Sequence, residues 1–149
     1  MHERLNYRAT DSGLREFGNE AILLAGGFLR TGLTPPGTVG AGFVVFDKPA
    51  LKTGRPPEAC HLGKVEIFLL ADRLALVHGL VNIEVHDTLR RRGIGRTIVQ
   101  SIAATTPEGR LEIYDIQADA IGFWISLGCS FRPRPPAWDA TYTLPSGSP

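Results

Sequence analysis

The segment Arg90-Arg91-Arg92-Gly93-Ile94-Gly95-Arg96 carries the clearest chemical signal in this sequence. It follows an apolar stretch typical of a strand, and apolar residues at helical spacing follow it. The first turn of a helix leaves backbone N–H groups without partners and carries partial positive charge. Glycine lets a ligand approach the backbone, and arginine adds charge and paired donors. We favour a phosphate or pyrophosphate site here over the alternative of a solvated turn.

Other phosphate-binding motifs do not fit this segment. It lacks the Gly-Lys-Ser/Thr ending of a nucleotide-hydrolysing P-loop. It also lacks the third glycine of a dinucleotide fold and an acidic residue about 20 positions further on. The phosphate ligand must therefore be sought among other cofactor classes.

Composition predicts one folded domain over residues 1–144, with 145–149 as a disordered tail. The chain has 149 residues, of which 43% are hydrophobic and 21% charged. A net charge of +1 argues against nucleic acid and against an anionic membrane as partners. The two cysteines lack metal-site or disulfide spacing, which favours a cytoplasmic protein without a metal. We expect neither a signal peptide nor a membrane span.

Periodicity predicts a run of strands followed by strand-helix-strand-helix-strand, and so an α/β fold with a mixed sheet. One helix is expected from Ile94 to the Thr106-Pro107 stop, and a second ends at Gly128. Pro133 to Pro136 is predicted to be a turn, and residues 47–62 a loop. The predicted strands span residues 5–9, 39–46, 65–70, 74–85, 111–113 and 140–144.

Two regions need a closer interpretation: one suits either a helix or a strand, and the other is a strand whose buried face must be identified. Asp11 and Ser12 predict the start of a helix through Phe17 and Leu23, but residues 21–29 suit a strand equally. In the strand 74–85, alternation gives one wholly apolar face, predicted to meet the core. That face comprises Ala75, Val77, Gly79, Val81, Ile83 and Val85. The opposite face comprises Leu74, Leu76, His78, Leu80, Asn82, Glu84 and His86, and it becomes polar toward its end.

Two motifs in this order resemble those of the GNAT superfamily of N-acetyltransferases. Arg90, Gly93 and Gly95 fill that family's Arg/Gln-x-x-Gly-x-Gly/Ala motif, after a Val85-His86 pair that is also similar. A second family motif, Asn-x-x-Ala-x-x-Phe-Tyr-x-x-x-Gly-Phe, is matched in spacing further along the chain. Its positions are filled by Gln117, Ala120, Phe123, Trp124, Gly128 and Cys129.

The resemblance implies a mostly antiparallel sheet flanked by helices, with the family's fourth and fifth strands splayed apart. It implies acetyl-CoA as cofactor and direct attack on the thioester by an amine of a small molecule or peptide. Loop amides would bind the pyrophosphate, and the strand backbone would pair with the pantetheine arm. The implied cofactor-binding residues are Ile83, Val85, Arg90, Arg91, Arg92, Gly93, Ile94, Gly95, Arg96, Gln117 and Trp124.

The catalytic positions depart from the family pattern. Trp124 stands where the family often has a tyrosine that protonates the leaving thiolate, and an indole is not a useful acid. Gly79 and Val81 stand where family members often place a base. The remaining candidates for proton transfer are Glu84, His78 and Tyr114, with Glu66 on the neighbouring strand as a further possibility; a β-bulge would change where the first two point.

These departures leave a second hypothesis open. A domain of the same fold could bind acyl-CoA as a signal without catalysis. A weaker third hypothesis has the arginines contact nucleic acid phosphates, which would make affinity fall steeply with salt. The sequence leaves open the acceptor amine and whether the chain forms a homodimer.

Overall fold

Nine strands of the described residues form one sheet, in the order β1-β2-β3-β4-β5-β6-β7-β9-β8. The computed structural model describes residues 5–9, 15–28, 34–86 and 93–145. Every neighbouring pair is antiparallel except β6 and β7, which are parallel. The strands are β1 Asn6–Ala9, β2 Arg15–Gly18, β3 Ile22–Phe28, β4 Thr38–Asp47, β5 His61–Leu70, β6 Arg73–Val85, β7 Arg110–Ile116, β8 Ser130–Arg134 and β9 Ala137–Thr143.

The helices of the described residues are few and mostly short. They are α1 Lys48–Lys52, α2 Ile94–Thr105 and α3 Ile121–Ser126, with 3-10 turns at Pro57–Cys60 and Ala118–Ala120. The protein is therefore a mixed α/β structure built on a large, mostly antiparallel sheet, as the sequence predicted in outline. None of these helices is long and apolar enough to span a bilayer.

One face of the sheet, here called the core face, holds most of the buried apolar residues. Residues in register on neighbouring strands point to the same side. The row Ile67, Leu80, Ile113 and Ala140 is at most 1% exposed, and the buried side of α2 joins the same apolar cluster. The next row, through Phe68, Gly79, Glu112 and Thr141, lies on the opposite face, here called the open face.

The predicted helix between β1 and β3 is wrong for its described part. Arg15–Gly18 is strand β2, paired with β3, and Phe17 packs on the core face with 0% exposure. The strand alternative for residues 21–29 is confirmed by β3. The glycines of this region disfavour a helix, whereas pairing on both sides stabilises a strand. Asp11 and Ser12 lie outside the described residues.

Other element predictions are confirmed with changes. The loop predicted at 47–62 contains α1, whose start is capped by Asp47 accepting from the Ala50 N–H at 3.2 Å. The Pro-rich turn is confined to Pro135-Pro136, because Pro133 lies inside edge strand β8, where a missing N–H costs no ladder bond. The tail prediction falls on residues 146–149, outside the described part.

Strand β6 departs from simple alternation. His78 and Val81 are each an extra residue between successive register pairs with β5, so each is a bulge. Leu80, predicted on the polar face, pairs with Ile67 on the core face and is 1% exposed. Gly79, predicted to face the core, lies on the open face with Phe68. The two bulges shift the face of every residue between them.

Candidate functional site

The site begins where the two parallel strands stop pairing. Among the described residues, β6 and β7 are in register only at Gly79–Glu112 and Leu80–Ile113. Beyond these pairs lies a cavity of about 740 Å³, within the range of small-molecule sites. Its walls are residues 80–85 of β6, 113–116 of β7, Gln117 directly after β7, 93–96 at the start of α2, and residues of α3. Ile83 and Val85, both predicted to bind cofactor, line it.

The start of α2 closes one end of this cavity. Gly93 is the N-cap residue, with φ of +74° and no side-chain cap. Both the N–H and the hydroxyl of Thr97 donate to the Gly93 carbonyl at 3.0 Å. The first-turn amides, from Ile94 onward, have no intrahelical acceptor and border the cavity. Of the predicted loop, Arg90, Arg91 and Arg92 lie outside the described residues.

Gly95 and Arg96 have a packing role that the sequence did not indicate. A Cβ on Gly95 would lie 2.9 Å from the Phe123 ring, so glycine lets α3 approach α2 closely. The Arg96 guanidinium donates to the Ser126 carbonyl at 3.2 Å, at the end of α3. Gly95 was predicted to open the backbone to a ligand; its observed neighbour is an aromatic ring, and the two residues hold the cavity walls together.

The second motif also meets the cavity. Trp124 is 3% exposed, packs edge-to-face on Phe123 and forms part of the cavity wall within the core. Gln117 is exposed at the rim, where its side-chain amide donates to the Asp115 carbonyl at 3.3 Å. Gly128 ends α3 with φ of +77°. Burial raises the pKa of the Cys129 thiol to about 11, which leaves it protonated and unreactive at neutral pH.

Two of the three predicted catalytic residues lie together. The His78 Nε2 and the Tyr114 hydroxyl are 2.7 Å apart, and Tyr114 lines the cavity. Glu84 stands apart from this pair in the register, exposed on the open face opposite Lys64, although it borders the cavity. Glu66 lies on the same face opposite Asn82.

The Tyr114 phenol is held in its neutral form. Burial is the main cause that raises its pKa, and the carboxylates of Glu112 and Asp139 raise it further against the opposing charge of Arg132. Tyr114 therefore stays protonated, and able to donate a proton, throughout the neutral range.

An ionic clamp, Asp139 with Arg134, diverts β7 beside the cavity. The β7–β9 register shifts between Ile113 and Ile116, and Asp115 there has φ of +59°. Asp139 accepts the Asp115 N–H at 3.0 Å and pairs with the Arg134 guanidinium at 2.9 Å. No residue pattern in the sequence signals this clamp, because none indicates that an aspartate adopts a left-handed conformation.

A histidine pair anchors the end of β6. His86 Nε2 lies 2.8 Å from His61 Nδ1, and His61 Nε2 lies 3.0 Å from the Gly63 carbonyl. Because that carbonyl can only accept, a neutral His61 ring donates from Nε2 and accepts from His86 at Nδ1. The chain is thus fixed just before residues 87–92.

Neither the protein-family models nor the curated proteins compared with this sequence give a match. The GNAT resemblance therefore remains a prediction from the two sequence motifs. Within the described ranges, no group of three or more His, Cys, Asp or Glu side chains is placed to hold a metal ion.

Proposed function

We propose that this protein is an acetyl-CoA-dependent N-acetyltransferase of the GNAT type, acting on an amine of a small molecule or peptide. The observation that carries the proposal is the cavity between β6 and β7, closed at one end by the glycine-capped start of α2. Both family-like motifs border this one cavity, although Gly93 and Gln117 are 24 positions apart in sequence.

The pyrophosphate of CoA would lie at the start of α2. Gly93 leaves open space, since nothing lies within 4 Å of a Cβ built there. The first-turn amides supply unpaired donors and partial positive charge, which suit a phosphate oxygen. The arginines at positions 90–92 directly precede Gly93 in the sequence and would add positive charge to this proposed site.

The pantetheine arm would lie between the strands. In our proposal β6 and β7 correspond to the splayed fourth and fifth strands of the family, and the short pairing at Gly79 and Leu80 supports this. An extended amide-containing arm can bind alongside a strand through backbone hydrogen bonds. The thioester would then lie near the point of separation, where an amine attacks its carbonyl carbon.

A charge-reversal variant tests cofactor binding. Gly93→Asp places a carboxylate at the proposed pyrophosphate site, so we expect CoA affinity in isothermal titration to fall about tenfold or more. Gly54→Asp is the matched control, because Gly54 also has positive φ, at +87°, and also has nothing within 4 Å of its Cβ position. Both variants carry the same charge and similar backbone strain, but Gly54 lies outside the cavity lining.

The control should bind CoA as the wild type does. Absence of CoA and acetyl-CoA binding by the wild-type protein would refute the proposed function. Equal CoA affinities of the two aspartate variants would show that the pyrophosphate does not bind at the start of α2.

A second candidate function is an acyl-CoA-binding regulatory domain without catalysis. The observation that favours it is Trp124, a buried indole where the family often has its acidic tyrosine. This candidate expects acetyl-CoA binding without thiol release across a broad panel of primary amines. Release of free thiol with any amine would exclude it.

A further inference from the structure

On the open face, the Tyr114 ring occupies the space that a side chain at position 79 would fill. Gly79 stands where members of the GNAT superfamily often place a base, and a Cβ there would lie 2.8 Å from Cε2 of Tyr114. The Tyr114 ring therefore lies over Gly79, in the volume that a side chain at position 79 would fill. Phe68, in register with Gly79, supports the ring edge-to-face at a centroid distance of 5.4 Å.

Tyr114 connects this space with the cavity. It lines the cavity just beyond Ile113, the last residue of β7 in register with β6. Its hydroxyl is 2.7 Å from His78, which the β6 bulge places beside it. A phenol at the point of strand separation, bonded to an imidazole, is thus available to a group bound between the strands.

We propose that Tyr114 is the catalytic acid of the acyl transfer and that His78 is the positioning residue that holds its hydroxyl. The inference rests on the proposed function. The amine nitrogen forms a bond to the thioester carbon and loses one proton to water. As the C–S bond breaks, its electron pair stays on sulfur, and the thiolate takes the Tyr114 proton. The tyrosinate recovers a proton from solvent through His78 Nε2, and the products are an amide and free CoA thiol.

The surroundings of Tyr114 keep its hydroxyl protonated. Burial and the carboxylates of Glu112 and Asp139 raise the pKa of Tyr114, so the proton-donating form is present throughout the neutral range. A raised pKa also makes the phenol a weaker acid than a thiol, so the proposed role rests on the position of Tyr114 in the cavity wall beside His78 and not on its acidity. Arg132 opposes the shift but is already paired with Glu112 at 3.1 Å.

Substitution of Tyr114 by phenylalanine removes the acid and retains the ring over Gly79. We expect Tyr114→Phe to lower kcat for acetyl-CoA about 100-fold, with the acetyl-CoA dissociation constant within about twofold of wild type. Tyr7→Phe is the matched control: it removes a phenol hydroxyl on β1, outside the cavity lining, and should leave both quantities unchanged. A kcat of Tyr114→Phe within about threefold of wild type would overturn the proposal.

Changing the leaving group of the acetyl donor distinguishes an acid role of Tyr114 from a structural role. An aryl thioester releases a thiolate that needs little protonation, so the Tyr114→Phe loss should shrink strongly when acetyl-CoA is replaced by S-acetyl thiophenol. A structural defect would reduce kcat/KM for both donors equally, and that result would count against the acid role.

A double-mutant cycle tests His78. A residue that acts through Tyr114 has no effect once Tyr114 is removed. We expect His78→Phe to lower kcat about tenfold in wild type but by less than twofold in Tyr114→Phe. Additive losses would reject the positioning role. Acetyl-CoA binding without turnover with any amine would reject the acid role together with N-acetyl transfer, whereas turnover insensitive to Tyr114→Phe would reject the acid role alone.

Discussion

The two ends of β6 differ in whether one or two neighbouring strands pair with them. At Gly79 and Leu80 the strand has β5 on one side and β7 on the other. From Asn82 to Val85 it is in register with β5 alone, and the cavity borders it where β7 would continue. The same strand thus helps to close the core at one end and forms a cavity wall at the other.

The difference between the two ends arises from irregularities on both strands. Val81 is a bulge in β6, and Tyr114 and Asp115 interrupt the register of β7. Bulges bend a strand and increase its twist, and these two lie directly after the last register pair of β6 and β7. A cavity can therefore form beside a continuous sheet at the point where the pairing of two strands ends.

The largest expected effect comes from the paired end. A Cβ at Gly79 would lie 2.6 Å from the Glu112 carbonyl oxygen and 2.8 Å from Tyr114. The first contact is backbone and cannot rotate away, so the two strands must move apart. We expect Gly79→Ala to lower the free energy of unfolding by about 3 kcal/mol, measured by urea denaturation.

Gly122→Ala is the control for the glycine-to-alanine change itself. Gly122 lies in α3 with nothing within 4 Å of its Cβ position, so alanine should raise stability by about 0.5–1 kcal/mol. A Gly79→Ala protein as stable as wild type would mean that the paired end of β6 is not closely packed, and the comparison between the two ends would fail.

A smaller effect is expected from the clamp that directs β7 away. Asp139→Ala removes the acceptor of the Asp115 N–H and the partner of Arg134. We expect stability to fall by about 1 kcal/mol and CoA affinity to fall with it, since the cavity wall loses its support. Glu16→Ala is the control: it removes the exposed Arg8–Glu16 pair at the far edge of the sheet and should cost at most about 0.5 kcal/mol.

Loss of stability in Asp139→Ala with unchanged CoA affinity would limit the clamp to a structural role. Equal costs for Asp139→Ala and Glu16→Ala would show that the bulge at Asp115 needs no support.

Sequence reasoning predicted the elements that carry strong periodicity. The apolar spacing around Ile98 and Ile102 indicated α2, and Gly128 indicated the end of α3, because these signals are local. The two motifs also indicated residues that line one cavity: Gly93, Ile94, Gln117 and Trp124. The order of the elements and the two motifs were sufficient to indicate these residues.

The unpredicted features depend on contacts distant in sequence. Whether Leu80 faces the core depends on bulges that alternation cannot locate. Phe17 suited a helix locally, but pairing with β3 made its segment a strand. That Gly79 makes room for Tyr114 follows from a parallel pairing across 35 residues, which neither residue signals alone.

The smallest expected effect concerns pH and sharpens the role of Tyr114 beside the paired end. Its pKa in the folded protein is raised above the ordinary value near 10. The unfolded chain therefore loses this proton at lower pH than the folded protein does. The contribution to stability is fully present below about pH 10 and is lost as the pH rises toward the folded pKa. Urea unfolding of wild type should thus show a steeper fall in stability above pH 10 than Tyr114→Phe shows.

The comparison of slopes isolates the phenol. Cys129, whose pKa is raised to about 11, also lowers stability as the pH rises above its ordinary value near 9, but it is present in both proteins. Tyr114→Phe also loses the hydrogen bond to His78, which offsets the two curves without changing the comparison of their slopes. Parallel curves above pH 10 would show that Tyr114 is as solvated in the folded protein as in the unfolded chain, and the close packing of its ring beside Gly79 would then not raise its pKa.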